Sequence, residues 1–233
     1  MNVIPQAMKD GFVRAIGPLA RLLIRGRVRP NTITTLGTLV VLGSAVAFGW
    51  GQVRWGAFLL LLSGLLDILD GKVAREGGTA STFGAFYDST LDRVGEAALF
   101  GGIAVYFLRS ELPAERITLA VGVAIAALAA SLLVSYTRAR AEGLGLECKV
   151  GIAQRAERFL ALGLPTLIFG AGKNGVLLFG IVVVLALVTT VTVVQRIIHV
   201  ARTAGARAPT RPQRSRETLP GHAPVLPPLR KGH

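Results

Sequence analysis

Six apolar runs, at about 33–50, 55–73, 83–108, 117–138, 159–170 and 175–199, fill most of this chain and constrain it to a bundle of membrane-crossing helices. A helical span needs about 20 mostly apolar residues to cross the hydrocarbon layer. Five of the runs approach or exceed that length. The fifth is short, and a tilted helix or one that begins deeper accommodates it. Gly37, Gly43 and Ser44 in the first run, and Ala124, Ala126, Ala127 and Ala130 in the fourth, are small enough to let helices pack closely in lipid. The expected fold is all-α and polytopic, with six transmembrane helices. Charge agrees: 17% of the residues are charged, against about 25% in an ordinary soluble domain.

The basic residues fall on alternate sides of these runs. Lys9, Arg14, Arg21, Arg25, Arg27 and Arg29 precede the first. Lys72, Arg75 and Arg93 flank the second link, and Arg138, Arg140, Lys149, Arg155 and Arg158 surround the fourth. A further group from Arg196 to Lys231 follows the sixth. The other links carry only Arg54, Arg109, Arg116 and Lys173. By the positive-inside rule both termini and the second and fourth links face the cytoplasm, which requires an even number of spans. The net charge of +13 therefore reads as membrane orientation and anionic ligands, not nucleic acid. Pro5, Lys9 and Asp10 interrupt the first stretch as no secretory signal would. Residues 4–29 instead repeat Ile4, Met8, Phe12, Ile16, Leu19 and Leu23 at helical spacing among basic residues, and predict an amphipathic juxtamembrane helix in the headgroup plane. The membrane domain is expected over 1–202. Residues 203–233, rich in Pro and Arg, read as a disordered cytoplasmic tail. The single cysteine, Cys148, forms no internal disulfide and reads as an incidental thiol.

The chemistry lies between the second and third runs. Asp67 and Asp70 are three apart, sharing a face near the end of one helix; Asp88 and Asp92 are four apart at the start of the next. A short link from about Glu76 to Thr82 joins the two as an antiparallel pair, so the four carboxylates can converge at the cytoplasmic boundary. Ionised groups near the membrane core cost about 2.5–3.5 kcal/mol each. Four of one sign also repel, and Lys72 and Arg75 do not obviously neutralise them all. One divalent metal, or two, would. Carboxylate oxygens suit Mg²⁺ or Mn²⁺, and no His or Cys cluster offers a zinc site. Helix-terminal aspartates paired with Arg75 and Arg93 are the plainer reading.

The run Asp67-x-x-Asp70-Gly71-x-x-Ala74-Arg75, then eight residues, then Gly84-x-x-x-Asp88-x-x-x-Asp92 resembles the signature of the CDP-alcohol phosphotransferase family, with every fixed position filled. The stretch Pro30-Asn31-Thr32-Ile33-Thr34 resembles the segment that often precedes that family's first span. The resemblance implies six spans with a juxtamembrane helix, a homodimer, and an active site open to the cytoplasm. It implies that Asp67, Asp70 and Asp88 are ligands to Mg²⁺ or Mn²⁺, and that Asp92 is ligand and general base. It also implies that Asn31, Asp67, Gly71, Ala74, Arg75, Ser81 and Gly84 line the site for the CDP-activated lipid.

A second polar cluster, Ser135, Arg138, Arg155 and Arg158, sits where the fourth and fifth runs meet the cytoplasmic side. Guanidinium groups bind phosphate bidentately, so an acceptor already carrying phosphate suits them; otherwise they serve topology or lipid headgroups. The segment resembles that of bacterial phosphatidylinositol phosphate synthases, which join CDP-diacylglycerol to inositol phosphate, although Arg138 stands where lysine is familiar and Ala156 where proline is common. Glycerol 3-phosphate, as in phosphatidylglycerophosphate synthases, is the alternative acceptor. A small metal-ion transporter is the alternative of another class. It would need polar residues across the whole membrane depth, whereas these gather on one side.

Overall fold

The computed structural model describes Gly11, residues 15–152 and residues 154–206, all built from helices and their connections, with no strand among the described residues. The first helix bounded within the described residues, α1 (Gly17–Arg25), ends where Gly26 and Arg27 turn the chain. It is the described part of the amphipathic segment expected over 4–29; apart from Gly11, the residues before Ala15 lie outside the description. Ala20 of α1 is buried against Ile33, Leu69 and Val73, which seats the helix under the site to come.

Proline opens α2 (Pro30–Gly49) at its first position, where the missing N–H is no loss. Gly51, with φ +79, reverses the chain into α3 (Val53–Glu76). The five-residue link 77–81 carries Gly78 at φ +64 and ends on Ser81, whose hydroxyl caps α4 (Thr82–Leu108) by accepting the Gly84 N–H at 3.0 Å. α5 (Ala114–Gly143) follows. An extended loop leads to α6 (Arg155–Phe169), opened by a capping box between Gln154 and Glu157. A single 3₁₀ turn (Lys173–Gly175) leads into α7 (Val176–Ala206). Among the described residues three segments are long and apolar enough to cross a membrane: Pro30–Gly49, Ala114–Gly143 and Lys173–Ala204. α6 has 15 residues with Pro165 inside it, in keeping with the short fifth run. α7 continues through Ala206, past the boundary at 202; the expected tail beyond Ala206 lies outside the described residues.

Small residues set the closest helix approaches. A β-carbon on Gly95 would come within 2.7 Å of Val41 Cγ1, and one on Gly102, two turns on, would collide with the Ala45 carbonyl. The α2–α4 crossing therefore depends on glycine on one face of α4, the way helices associate where burial from water supplies no drive. Ser44 Oγ donates to the Gly56 carbonyl at 2.7 Å and ties α2 to α3. The main core gathers Phe48, Leu60, Leu99, Ile103, Phe107 and Leu178 from four helices. Many large apolar side chains instead face outward, among them Leu39, Phe58, Leu119, Ile125, Val184 and Leu187.

Candidate active site

The four aspartates stand on facing helices as their spacing requires. Asp67 and Asp70 lie in the second half of α3; Asp88 and Asp92 lie in the first half of α4. Carboxylate oxygens of Asp67, Asp70 and Asp88 all lie within 4.8 Å of one another. Oxygens on opposite sides of one Mg²⁺ stand about 4.2 Å apart, so a small adjustment brings the three onto one ion. Asp88 Oδ1 is buried and has no hydrogen-bond partner among the described residues. An oxygen taken from water and given no donor is what a metal ligand looks like before its metal is considered. Oxygen donors alone, with no His or Cys in the group, fit a hard divalent cation.

Asp92 is held differently. Its Oδ1 lies 2.6 Å from Arg155 Nη1 on α6, and the same nitrogen lies 2.6 Å from Asp67 Oδ1. Arg93 makes a longer contact to Asp92 Oδ2, at 3.4 Å. Arg155 and Arg93 balance two of the four negative charges. Among the described residues Arg75 forms no ion pair with the aspartates, so the pairing with Arg75 and Arg93 does not account for the cluster. Arg155 is oriented by the Phe159 ring, with Cζ 4.7 Å from its centroid. Asp70 is 6% exposed, and its Oδ2 accepts from Thr34 Oγ1 on α2 at 2.7 Å.

A cavity of about 210 Å³ opens beside this cluster, between the start of α2, the end of α3 and the start of α4. Asn31, Gly71, Ala74, Arg75, Ser81 and Gly84 line it, together with Asp70 and Asp88. Six of the seven residues expected at the CDP-lipid site are thus together; Asp67 is the seventh and stands on the metal-ligand side. The crowding explains Gly84: a β-carbon there would stand 3.1 Å from Ser81 Oγ and 3.4 Å from Asn31 Oδ1. A larger apolar cleft of about 640 Å³ adjoins it between α2 and α4, lined by Leu36, Leu39, Phe83 and Tyr87 and sharing Asn31.

The second cluster is less uniform than its sequence. Arg138 is half exposed and pairs with Glu142 one turn on, at 2.8 Å. Ser135 sits one turn before it, its hydroxyl directed at the Ser131 carbonyl at 3.5 Å. Arg155 faces the aspartates. Arg158 is 5% exposed and paired with Glu96 of α4, itself 1% exposed. Two functional candidates are missed by the sequence reading. Glu96 follows Asp88 and Asp92 at the same four-residue step, and that repeat is its signal. Arg196, 5% exposed on α7, donates to the carbonyls of Val150 (3.0 Å) and Val134, close enough to Arg138 and Arg158 for their charges to interact. An arginine inside the sixth apolar run, 175–199, is the signal there.

Comparison with known proteins gives a consistent result. The profile described as CDP-alcohol phosphatidyltransferase matches residues 27–208. The chain is 40% identical over 202 residues to the phosphatidylinositol phosphate synthase of Cutibacterium acnes, covering 83% of this chain and 96% of that protein. It is 38% identical to the archaetidylinositol phosphate synthase of Methanothermobacter thermautotrophicus, over 80% of this chain and 89% of that one. Among solved structures, Mycobacterium tuberculosis phosphatidylinositol phosphate synthase with CDP-DAG bound superposes with a TM-score of 0.70 at 31% identity, covering 80% of this chain and 94% of the other. The same enzyme in complex with manganese and citrate gives 0.69 at 30% identity, over 79% and 88%.

Proposed function

The chain belongs to the CDP-alcohol phosphatidyltransferase family, and from that premise we propose that it transfers a phosphatidyl group from CDP-diacylglycerol to inositol 1-phosphate and releases CMP. The observation that carries this is the meeting of three metal-competent carboxylates with a cavity lined by the CDP-signature residues. Relatives named for inositol phosphate products, bacterial and archaeal, support the acceptor.

In this reading the pyrophosphate lies in the cavity with Arg75 beside it. Gly71 and Gly84 leave the room it needs, and the lipid tail leaves toward the apolar cleft. Asp67, Asp70 and Asp88 hold Mg²⁺ or Mn²⁺. When bound, the metal neutralises the pyrophosphate and stabilises the CMP leaving group. Arg138 and Arg155, with Ser135 alongside, receive the acceptor phosphate. Arg158, the third arginine of the cluster, reaches it only by opening its pair with Glu96. Asp92 takes the proton of the attacking hydroxyl. The new P–O bond forms at the phosphorus that carries the diacylglycerol, the bond to CMP breaks, and no covalent enzyme intermediate is needed.

The topology follows from the same premise. α2 to α7 act as six spans, α1 lies along the headgroups with Leu19 and Leu22 toward lipid, and both termini and the active site face the cytoplasm of a bacterial cell. The functional unit is a homodimer. The deciding experiment supplies purified protein with CDP-diacylglycerol and labelled inositol 1-phosphate, inositol or glycerol 3-phosphate, and follows CMP and the lipid product. Product from inositol 1-phosphate alone supports the proposal. Product from glycerol 3-phosphate alone makes the chain a phosphatidylglycerophosphate synthase instead.

A further inference from the structure

Glu96 continues the acidic face of α4 one turn beyond Asp92, roughly 6 Å further along the helix. It is 1% exposed, and a lone carboxylate there would be costly. Its Oε1 accepts from Arg158 Nη2 on α6, which is 5% exposed. One turn back on α6, Arg155 reaches Asp67 and Asp92. Two guanidinium–carboxylate rungs therefore join α4 and α6: Arg155–Asp92 at the open end and Arg158–Glu96 at the closed end. The rungs differ in how readily they exchange. The side chains of Asp92 and Arg155 are 16% and 21% exposed, so that rung is accessible to a competing ligand. The inner rung resists opening, because either partner left alone would be an uncompensated buried charge.

Adhesion alone does not explain the inner rung. Apolar side chains of similar volume commonly hold helices together at least as well as a buried ion pair. What a directional pair adds is register: it fixes the rotation and height of the first turn of α6 relative to α4. We propose that Glu96 is a positioning residue for phosphatidyl transfer. Through Arg158 it fixes the first turn of α6, and so holds the Arg155 guanidinium between Asp67 and Asp92, where acceptor phosphate and attacking hydroxyl meet. The inference rests on the acceptor assignment above. It differs from a direct role for Arg158: Glu96 is needed because it restrains Arg158, not because it leaves it available.

The test uses the full chain in detergent or nanodiscs, with two variants. Glu96→Met keeps both arginines and removes the hydrogen-bond acceptor that restrains Arg158; its acceptor KM is expected to rise by about tenfold to a hundredfold, the size of effect a small misplacement of a substrate-holding group causes, while CDP affinity measured by calorimetry with Mn²⁺ stays at the wild-type value. An acceptor KM that is unchanged or lower would mean that Arg158, once released, serves the phosphate itself, and would overturn the proposal. The second variant, Glu96→Met with Arg158→Met, removes the pair without leaving a charge. A wild-type melting temperature with a raised acceptor KM supports positioning. A wild-type acceptor KM, or a lowered melting temperature, in this double variant makes the pair an element of the fold only and overturns the proposal. The readout is the KM of whichever acceptor the wild type uses, so an error in the headgroup shows in the wild type and leaves the comparison of variants intact.

Discussion

Thr34 on α2 donates a 2.7 Å hydrogen bond to Asp70 Oδ2 on α3, and the bond is buried. It fixes one oxygen of a carboxylate that clusters with Asp67 and Asp88. Groups that orient a metal ligand in this way typically contribute about tenfold to a hundredfold to metal affinity. Thr34→Val keeps the shape of the side chain and removes the donor. Mn²⁺ titration followed by electron paramagnetic resonance is expected to show weaker binding by about that factor, with the melting temperature little changed. Unaltered Mn²⁺ affinity would remove Thr34 from the site.

Chelation gives a simpler test of the same cluster. Arg155 and Arg93 leave half of the negative charge of the four aspartates unbalanced. CMP release is expected to stop in excess EDTA and to return when Mg²⁺ or Mn²⁺ is added in excess of the chelator. Turnover that continues in EDTA would show that the carboxylates work without a metal.

Asp92 stands apart from the three clustered carboxylates and is held by Arg155. Asp92→Asn retains an oxygen for that guanidinium, so the helix pair is expected to stay intact and CDP-lipid binding to persist. Losing a general base lowers kcat by about a hundredfold or more. A variant that folds, turns over normally and binds CDP-lipid normally would rule out the base. One that folds but no longer binds the nucleotide would make Asp92 chiefly a metal ligand.

The parts of this molecule that are legible in its sequence are those that local periodicity encodes. Asp67 with Asp70, and Asp88 with Asp92, share faces because the helix repeat puts them there, and the link 77–81 is too short to let their helices point anywhere but back along each other. Ser81 and Gly84 enter from the sequence as residues of the CDP-lipid site; that Ser81 caps α4 and that a β-carbon on Gly84 would crowd Ser81 and Asn31 is read from the structure. The counter-ion of the site is not legible. Arg155 is 88 positions from Asp67, and nothing local distinguishes it from Arg138 or Arg158, which carry the same charge at neighbouring helix ends. Only the approach of α6 to α3 and α4 assigns one of these arginines to aspartates, one to a buried glutamate and one to the surface.

The α2–α4 crossing yields a prediction about the fold. A β-carbon at Gly102 would meet the Ala45 backbone, not a side chain that can rotate away. Gly102→Ala is expected to destabilise by about 1–3 kcal/mol, the range for overpacking a tight contact, and to lower the melting temperature in detergent. A β-carbon at Gly101, one position away, would meet nothing within 4 Å. Gly101→Ala is therefore the matched control and is expected to melt at or above the wild-type temperature. Equal effects of the two substitutions would show that the crossing has room for a methyl group at Gly102.

Acceptor choice is the last test, and the three arginines of the second cluster give three different expectations. Arg138 is about half exposed, and its partner Glu142 lies one turn along the same helix. Such surface pairs contribute about 0–1 kcal/mol, so Arg138 can turn to a phosphate at little cost. A charge-assisted hydrogen bond contributes roughly 1.5–3 kcal/mol, so Arg138→Ala is expected to raise the acceptor KM by about tenfold to a hundredfold and to leave kcat and CDP-lipid affinity near the wild-type values. Arg155→Ala removes a proposed acceptor ligand and also releases Asp67 and Asp92, so both acceptor KM and kcat are expected to suffer. Arg158→Ala leaves Glu96 as an unpaired buried carboxylate, and its first effect is expected to be a lower melting temperature. Steady-state kinetics with inositol 1-phosphate and CDP-diacylglycerol varied in turn, beside thermal melting of each variant, separate these outcomes. Should Arg138→Ala leave the acceptor KM unchanged, or weaken CDP-lipid binding as much as acceptor binding, this cluster does not form the acceptor pocket.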